Sequence, residues 1–515
     1  MNSNGVRRMH AQWGSLFRIG ISCLAAAVMS DVASAQTHSE LWGRHGEKWS
    51  PQSRLPDFSF AGYHFGEDPL PQVKVVADVT RFGAKGDGKT DDTAAFKRAI
   101  AETEQGAILV PAGHYLLSDI LWIEKSGIVL RGEGTDKTVL HFTSELEDVR
   151  PNMGATTSGK KTSNYSWSGG FLWVKGGTKS ALISPIASEC TRGDKTLLLE
   201  KAGGIKVGQR VQVALTDDAQ KTLLVHLYSG DSGPTTKFTK AVKVSMVSRV
   251  AAVSGKQVTL ERPLRWDIRK GWKPTLKTFE PRVSEVGIEE LAISFPLKPY
   301  QGHFSERGMN GIAMNGVSDC WVRNVKISNC DSGIFVGGSF CTVDGLVVDG
   351  SRTATRGDTG HHGVTMGRDC VLQNFDFQTK FIHDITMSNL QVGNVVKNGK
   401  GINLSFDHHK RCPYENLFCN IDVGDGGQVW RCGGGRDLGK NCGARGTFWG
   451  IKAKQDIKWP RKGFGPDSMN IVGVKTQAES MKDPNGKWFE AMAPESLLPA
   501  DLHAAQLAAR LMKKP

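Results

Sequence analysis

Two short strand patterns recur between residues 311 and 431. The first reads GIAM from Gly311, GIFV from Gly333, GVTM from Gly363, DITM from Asp384 and GINL from Gly401. The second follows ten to fifteen residues later as NVKI from Asn324, GLVV from Gly345, NFDF from Asn374, NVVK from Asn394 and NLFC from Asn416. These second strands start 21, 29, 20 and 22 residues apart. A unit of that length cannot bury an apolar face alone, so successive units must stack as the coils of a β-solenoid, one of them carrying a longer loop.

Alternation along the first strand places Ile312, Ile334, Val364, Ile385 and Ile402 inside. Four positions before each second strand stand Cys320, Cys341, Cys370, Leu390 and Cys412. Side chains sharing one position of the coil stack about 4.8 Å apart, so these cysteines are expected as a column of buried thiols. Asn324, Asn374, Asn394 and Asn416 line up in the same register as an asparagine ladder. Cys432 and Cys442 flank the loop CGGGRDLGKNC, and a disulfide is expected there.

The rest of the chain is read around this solenoid. Sixty glycines without a three-residue period favour many tight turns over long helices. Residues 1–35 carry Arg7, Arg8 and Arg18, an apolar run and Ala33-Ser34-Ala35, the pattern of a secretory signal cleaved after Ala35. The expected site of action is thus secreted or periplasmic. Residues 36–77 are aromatic and loop-rich, and are expected to wrap the body. Residues 78–145 begin the coils, with a capping helix near 93–102 that starts at Asp91 or Asp92. Residues 146–280 hold a loop and a small antiparallel β insert, 281–455 the main coils, and 456–515 a segment whose final amphipathic helix is expected to cover the last coil.

The stretch FGAKGDGKTDDTAAFKRAI, followed by VPAGHYLL, resembles the opening of the pectate lyase superfamily. The resemblance implies a right-handed parallel β-helix and a carbohydrate-active protein, because that superfamily includes polysaccharide lyases, glycoside hydrolases, epimerases and phage tailspikes. The polygalacturonase motifs NTDG, GDD and GHG followed by RIK are absent from the matching coils. No acidic calcium-binding coil of the pectate lyase kind stands out either, so no catalytic residue is carried over.

The site is therefore sought where residues break the solenoid pattern. Asp384 takes a position, read as outward, that four other coils give to glycine. A surface ion pair is the plain alternative. His361, His362 and His383 adjoin the same strands, although strict alternation turns His362 and His383 inward as core histidines. The next coil ends in Asp407-His408-His409-Lys410-Arg411, with Tyr414 close behind, either a solvated turn or part of a groove. The long loop adds Arg352, Arg356 and Asp358, and one coil further lie Trp430 and Arg431.

Imidazoles beside basic groups suit β-elimination on a uronic acid. Lys410 or Arg411 neutralises the carboxylate, a histidine among His361, His362, His383, His408 and His409 or an ionised Tyr moves the proton, Asp384 and Asp407 orient imidazoles or bind metal, and Arg356, Tyr414, Trp430 and Arg431 bind substrate. Ca2+ could serve, without a clear motif for it. A hydrolase using Asp384 and Asp407 as its carboxylate pair is a second reading. A non-catalytic glycan-binding protein, with Trp430 and Trp449 for stacking, is a third. The formal charge of +13, or +11 without residues 1–35, favours an anionic polysaccharide as partner. Export argues against nucleic acid, and no apolar run long enough argues for a membrane.

Overall fold

The computed structural model describes residues 37–513 apart from 157, 202, 355 and 356. The signal segment and Arg356 therefore lie outside the described residues. The body is a parallel β-helix. One of its sheets pairs Leu121–Ile123, Leu172–Lys175, Asn310–Ser318, Ser332–Ser339, Gly360–Thr365, Phe381–Met387 and Phe406–His408, all in parallel. A larger sheet carries the second strands, among them Trp321–Ser328, Thr342–Asp349, Val395–Gly401 and Leu417–Asp422. Between the sheets lies an apolar core that includes Ile312, Ile334, Val364 and Ile385, all fully buried.

The fifth coil departs from the expected register. Ile385 pairs with Phe406, not Ile402, and Ile402 is exposed. The segment GINL is a return between sheets, where Leu404 rather than Ile402 fills the core.

The second sheet holds the expected register for three coils and then slips by four residues, since Val371 pairs with Val395 and Val395 with Leu417. Cys320, Cys341 and Cys370 occupy adjacent rungs, as the flanking pairs of Trp321 with Thr342 and Thr342 with Val371 require. Asn394 and Asn416 continue that column in place of Leu390 and Cys412. The Asn394 side-chain amide donates to Asn416 Oδ1 at 3.0 Å. The asparagine ladder itself runs Asn324, Gly345, Asn374, Asn398, Asn420, Gly450 and Gly473. Every member has positive φ, from 50° to 73°, which favours asparagine and glycine there, and Glu290 takes the same conformation at φ 58° one coil before Asn324. All nine cysteines of the described residues are free thiols, Cys432 and Cys442 included, so the expected disulfide is not formed.

The helix Thr93–Glu102 buries Ala95, Phe96, Ala99 and Ile100 against the first coils. Asp91 accepts from Thr93 N at 3.0 Å, whereas Asp92 turns back to Lys85 N and Gly86 N. An antiparallel sheet from Leu182–Pro185 to Thr275–Thr278 is inserted between two strands that are neighbours in the first sheet, and it has a core of its own.

The C-terminal helix Leu502–Leu511 does not cover the last coil. With Trp42, Leu55 and Phe58 of the wrapping segment, Leu502 packs on the outer face of the second sheet, over Val395, Leu417, Trp449 and Val472. An apolar stripe on that sheet requires this lateral cover.

Candidate active site

The outward column of the first sheet runs Ala313, Phe335, Thr365, Thr386 and Asp407. Alternation resets just before it. A Cβ on Gly363 would meet the core side chain of Phe377 at 2.4 Å, and Val364 is core as well, so two consecutive residues face inward. The histidines preceding them consequently lie on the outer side, contrary to the strict-alternation reading. His362 Nδ1 is 3.0 Å from Thr386 Oγ1.

The same reset turns Asp384 inward, so it is not the groove carboxylate expected. It is 3% exposed, with one oxygen accepting from Phe381 N at 3.0 Å and the other from Ser405 N and Ser405 Oγ at 2.8 Å each. Burial raises its carboxyl to about 6.

Asp407, fully buried, organises the last position of the column. Its Oδ2 lies 2.8 Å from His409 Nδ1, 3.2 Å from His383 Nδ1 and accepts from Thr386 Oγ1 at 3.2 Å, while Oδ1 accepts from Gly433 N at 2.7 Å. Burial would raise this carboxyl, but His383, His409 and the Gly433 amide outweigh it and hold it well below the usual range. For His409, burial opposes the charge and Asp407 outweighs burial, so its pKa is raised. Gly433 is sterically required, because a Cβ there would meet the His409 ring at 2.2 Å.

Four further imidazole contacts extend the site. His361 stacks on His362 at 4.1 Å, His362 on His383 at 5.1 Å, and His303 meets His361 edge-on at 4.6 Å and His383 at 5.9 Å between centroids. Burial, then neighbouring histidines, depresses His361 and His362 far below the ordinary value. Burial also lowers His303 and His383 to about 4.

A pocket of about 430 Å3 opens beside this cluster, lined by Tyr300, Gln301, Gly302, His303, Asp358, Ile382 and Arg431. Arg431 reaches Asp358 at 3.3 Å. The wall has its own buried frame. Tyr300 donates to Glu306, and Glu306 Oε1 lies 3.5 Å from His361 Nδ1. Arg352 stacks over Tyr300 and pairs with Asp331 at 2.8 Å. Burial holds the Glu306 carboxyl near 7.

His361, His362, His383, Asp407, His409 and Arg431 are thus gathered at one place. His408 is not: it is fully buried among Phe418, Phe448 and Phe464, with Nδ1 3.0 Å from the Phe406 carbonyl. Tyr414 is buried against the insert, where its hydroxyl accepts from Trp266 Nε1 at 3.2 Å. Trp430 packs on Phe448 and Phe464 and Trp449 is buried beneath the wrapping segment, so neither is a stacking platform. Lys410 and Arg411 do not line the pocket, whose cation is Arg431. Tyr300, His303 and Glu306 escaped the sequence reading because they sit in an irregular segment between coils. The close spacing of Tyr300, His303 and Glu306 ahead of a repeat strand was the available signal.

Residues 76–207 match the family described as Rhamnogalacturonase A/epimerase, pectate lyase-like. A 97-residue segment is 34% identical to alginate lyase 7 of Azotobacter vinelandii, covering 17% of this chain and 11% of that protein. A 100-residue segment is 33% identical to mannuronan C5-epimerase AlgE3 of the same organism, covering 18% and 5%. The matched parts are thus small fractions of those relatives' own lengths. Among solved structures, the tailspike gp49 of Pseudomonas phage LKA1 aligns with TM-score 0.41 and 15% identity over 77% of this chain and 67% of its own. An alginate lyase from Paenibacillus sp. str. FPU-7 aligns with TM-score 0.35 and 9% identity over 81% and 98%. The chain carries a pectate lyase-like region on a parallel β-helix.

Proposed function

We propose that this protein acts on a uronic-acid-containing polysaccharide by taking the C5 proton and expelling the C4 oxygen. The observation that carries the reading is one short segment, Arg431 to Gly433. It sets a guanidinium on the pocket wall and, two residues on, donates its backbone N–H to the carboxylate that holds His409. Arg431 neutralises the substrate carboxylate, which acidifies the adjacent C5 proton. His409, fixed through Nδ1 by Asp407 and about one third exposed, takes that proton on its other nitrogen. The C4–O bond then breaks, C4=C5 forms, and the departing oxygen is protonated by water from the open pocket.

The relatives' names, an alginate lyase and mannuronan C5-epimerases, support the same substrate class and, for the epimerases, the same carbon. Epimerisation shares the proton abstraction and differs in returning the proton before the C4 oxygen leaves. A retaining or inverting hydrolase needs two carboxylates facing the sugar. Asp384, proposed for that pair, has both oxygens engaged in the interior.

The test is incubation with alginate, pectate and a neutral glucan. Ultraviolet absorbance from the new double bond should rise together with reducing ends on an acidic polymer. The variant His409→Ala, with its fold checked by circular dichroism, should lower kcat by roughly 10²–10⁴-fold. Reducing ends without absorbance would replace this reading by hydrolysis. Altered uronate stereochemistry without cleavage would replace it by epimerisation, and no change in any polymer would reject it.

A further inference from the structure

His361 and His383 are buried to 2% and 4% exposure, and each turns Nδ1 toward a buried carboxylate. For His361 that oxygen is Glu306 Oε1 at 3.5 Å, and for His383 it is Asp407 Oδ2 at 3.2 Å. Neither approach is aligned as a hydrogen bond, and both ring nitrogens of His383 are buried without a partner. Unsatisfied buried imidazole nitrogen is costly unless something else occupies it. The third imidazole, His303, reaches the same point from the exposed segment before Asn310–Ser318. One ligating atom from each of His303, His361 and His383 lies within 4.8 Å of the other two.

We infer that His303, His361 and His383 form a binding site for a zinc-type divalent ion on the inner wall of the pocket. Three imidazoles suit zinc, cobalt, nickel or copper, whereas calcium and magnesium require oxygen ligands. Three protein ligands leave a tetrahedral ion one open position, and of the three only His303 lines the pocket. The carboxylates behind His361 and His383 are the outer partners that orient metal-bound imidazoles. Binding at about 2.0–2.1 Å draws the donors together, and His303, on the exposed side, is the one free to move inward. The inference concerns the ion alone and does not depend on which polymer is the substrate.

The full chain, stripped with a chelator, is titrated with ZnCl2 by calorimetry in the absence of polysaccharide. One zinc per chain should bind, equimolar Ca2+ should not compete, and anomalous scattering at the zinc edge should place the ion between the three rings. His303→Ala leaves the core intact and should weaken zinc binding at least about tenfold, and Asp407→Asn should weaken it by about 10–100-fold through His383. Absence of zinc binding, displacement by calcium, or wild-type affinity in His303→Ala would overturn the inference.

Discussion

At the residue scale the sharpest division falls between two aspartates one coil apart. Asp407 accepts from a pocket-side histidine and from Gly433, whereas Asp384 accepts only from Phe381 and Ser405 within the wall of the helix. Asp384→Asn keeps one acceptor oxygen and points an amide at the Ser405 donors. It should cost about 1–3 kcal/mol of stability, measured by denaturant unfolding, and leave kcat unchanged. A folded variant that has lost turnover would return Asp384 to the catalytic list. Arg431→Ala should lower kcat/KM by roughly 10²–10³-fold on an acidic polymer, with Arg431→Lys restoring part of it, because a point charge replaces a fork. Equal losses for both variants would mean that geometry, not charge, is what Arg431 supplies.

His361, His362, His383 and His409 were legible in the sequence as site histidines, but their facing was not, and His303 was missed. Strict alternation fails where Gly363 and Val364 both turn inward, and a period-two reading cannot register that without knowing that Phe377 fills the space beside Gly363. His408 shows the converse. Its neighbours Asp407 and His409 are polar, yet three phenylalanines that follow it in the chain surround it.

At the scale of elements, two attachments hold the body together and behave oppositely. The insert is tied to the coils by Arg262 and Arg265, both bound to Asp369, and all three are at least nine-tenths buried. Replacing Asp369 by alanine removes the carboxylate that hydrogen-bonds both buried guanidinium groups and should cost about 3–5 kcal/mol in unfolding free energy. Loss of less than about 1 kcal/mol would show that water reaches both groups.

The C-terminal helix carries His503, which burial, and then the charge of Lys397, hold near pKa 3, with Asp501 opposing and Arg510 adding to the shift. In the unfolded chain the same imidazole takes up a proton near 6.5. Stability from this group is therefore full above pH 6.5 and declines as pH falls toward 3, by up to about 4–5 kcal/mol. Thermal unfolding of His503→Leu should show a shallower acid decline than the wild type, and parallel curves would remove His503 as the cause. The helix was visible in sequence as an amphipathic stripe, but its seat was not. The apolar surface it covers is built from residues far apart in the chain, Val395, Leu417 and Trp449.

At the scale of the whole molecule, the outward column that ends at Asp407 continues in the other direction through Ala313 to Trp173 and Trp122. Six ladder steps of 4.7–4.9 Å make this face roughly 29 Å long. The two tryptophans stack at 4.6 Å, with Arg150 5.4 Å and Lys175 5.1 Å from the Trp122 ring centre. Aromatic rings with cations stand at one end and Arg431 with imidazoles at the other, while Ala313, Phe335 and Thr386 between them are buried, and the formal charge is +13. The coil period alone predicted such a face, but not its aromatic end, because Trp122 and Trp173 are separated from the repeat by the insert and the loops around it. If the whole column holds substrate, kcat/KM on long chains should fall as ionic strength rises, since exposed attraction is screened beyond about 10 Å at 0.1 M salt. The double variant Trp122→Ala, Trp173→Ala should raise KM for long chains and leave it unchanged for the shortest oligomers cleaved. An equal rise for both lengths would mean that the tryptophans support the fold of the pocket rather than a distant stretch of polymer.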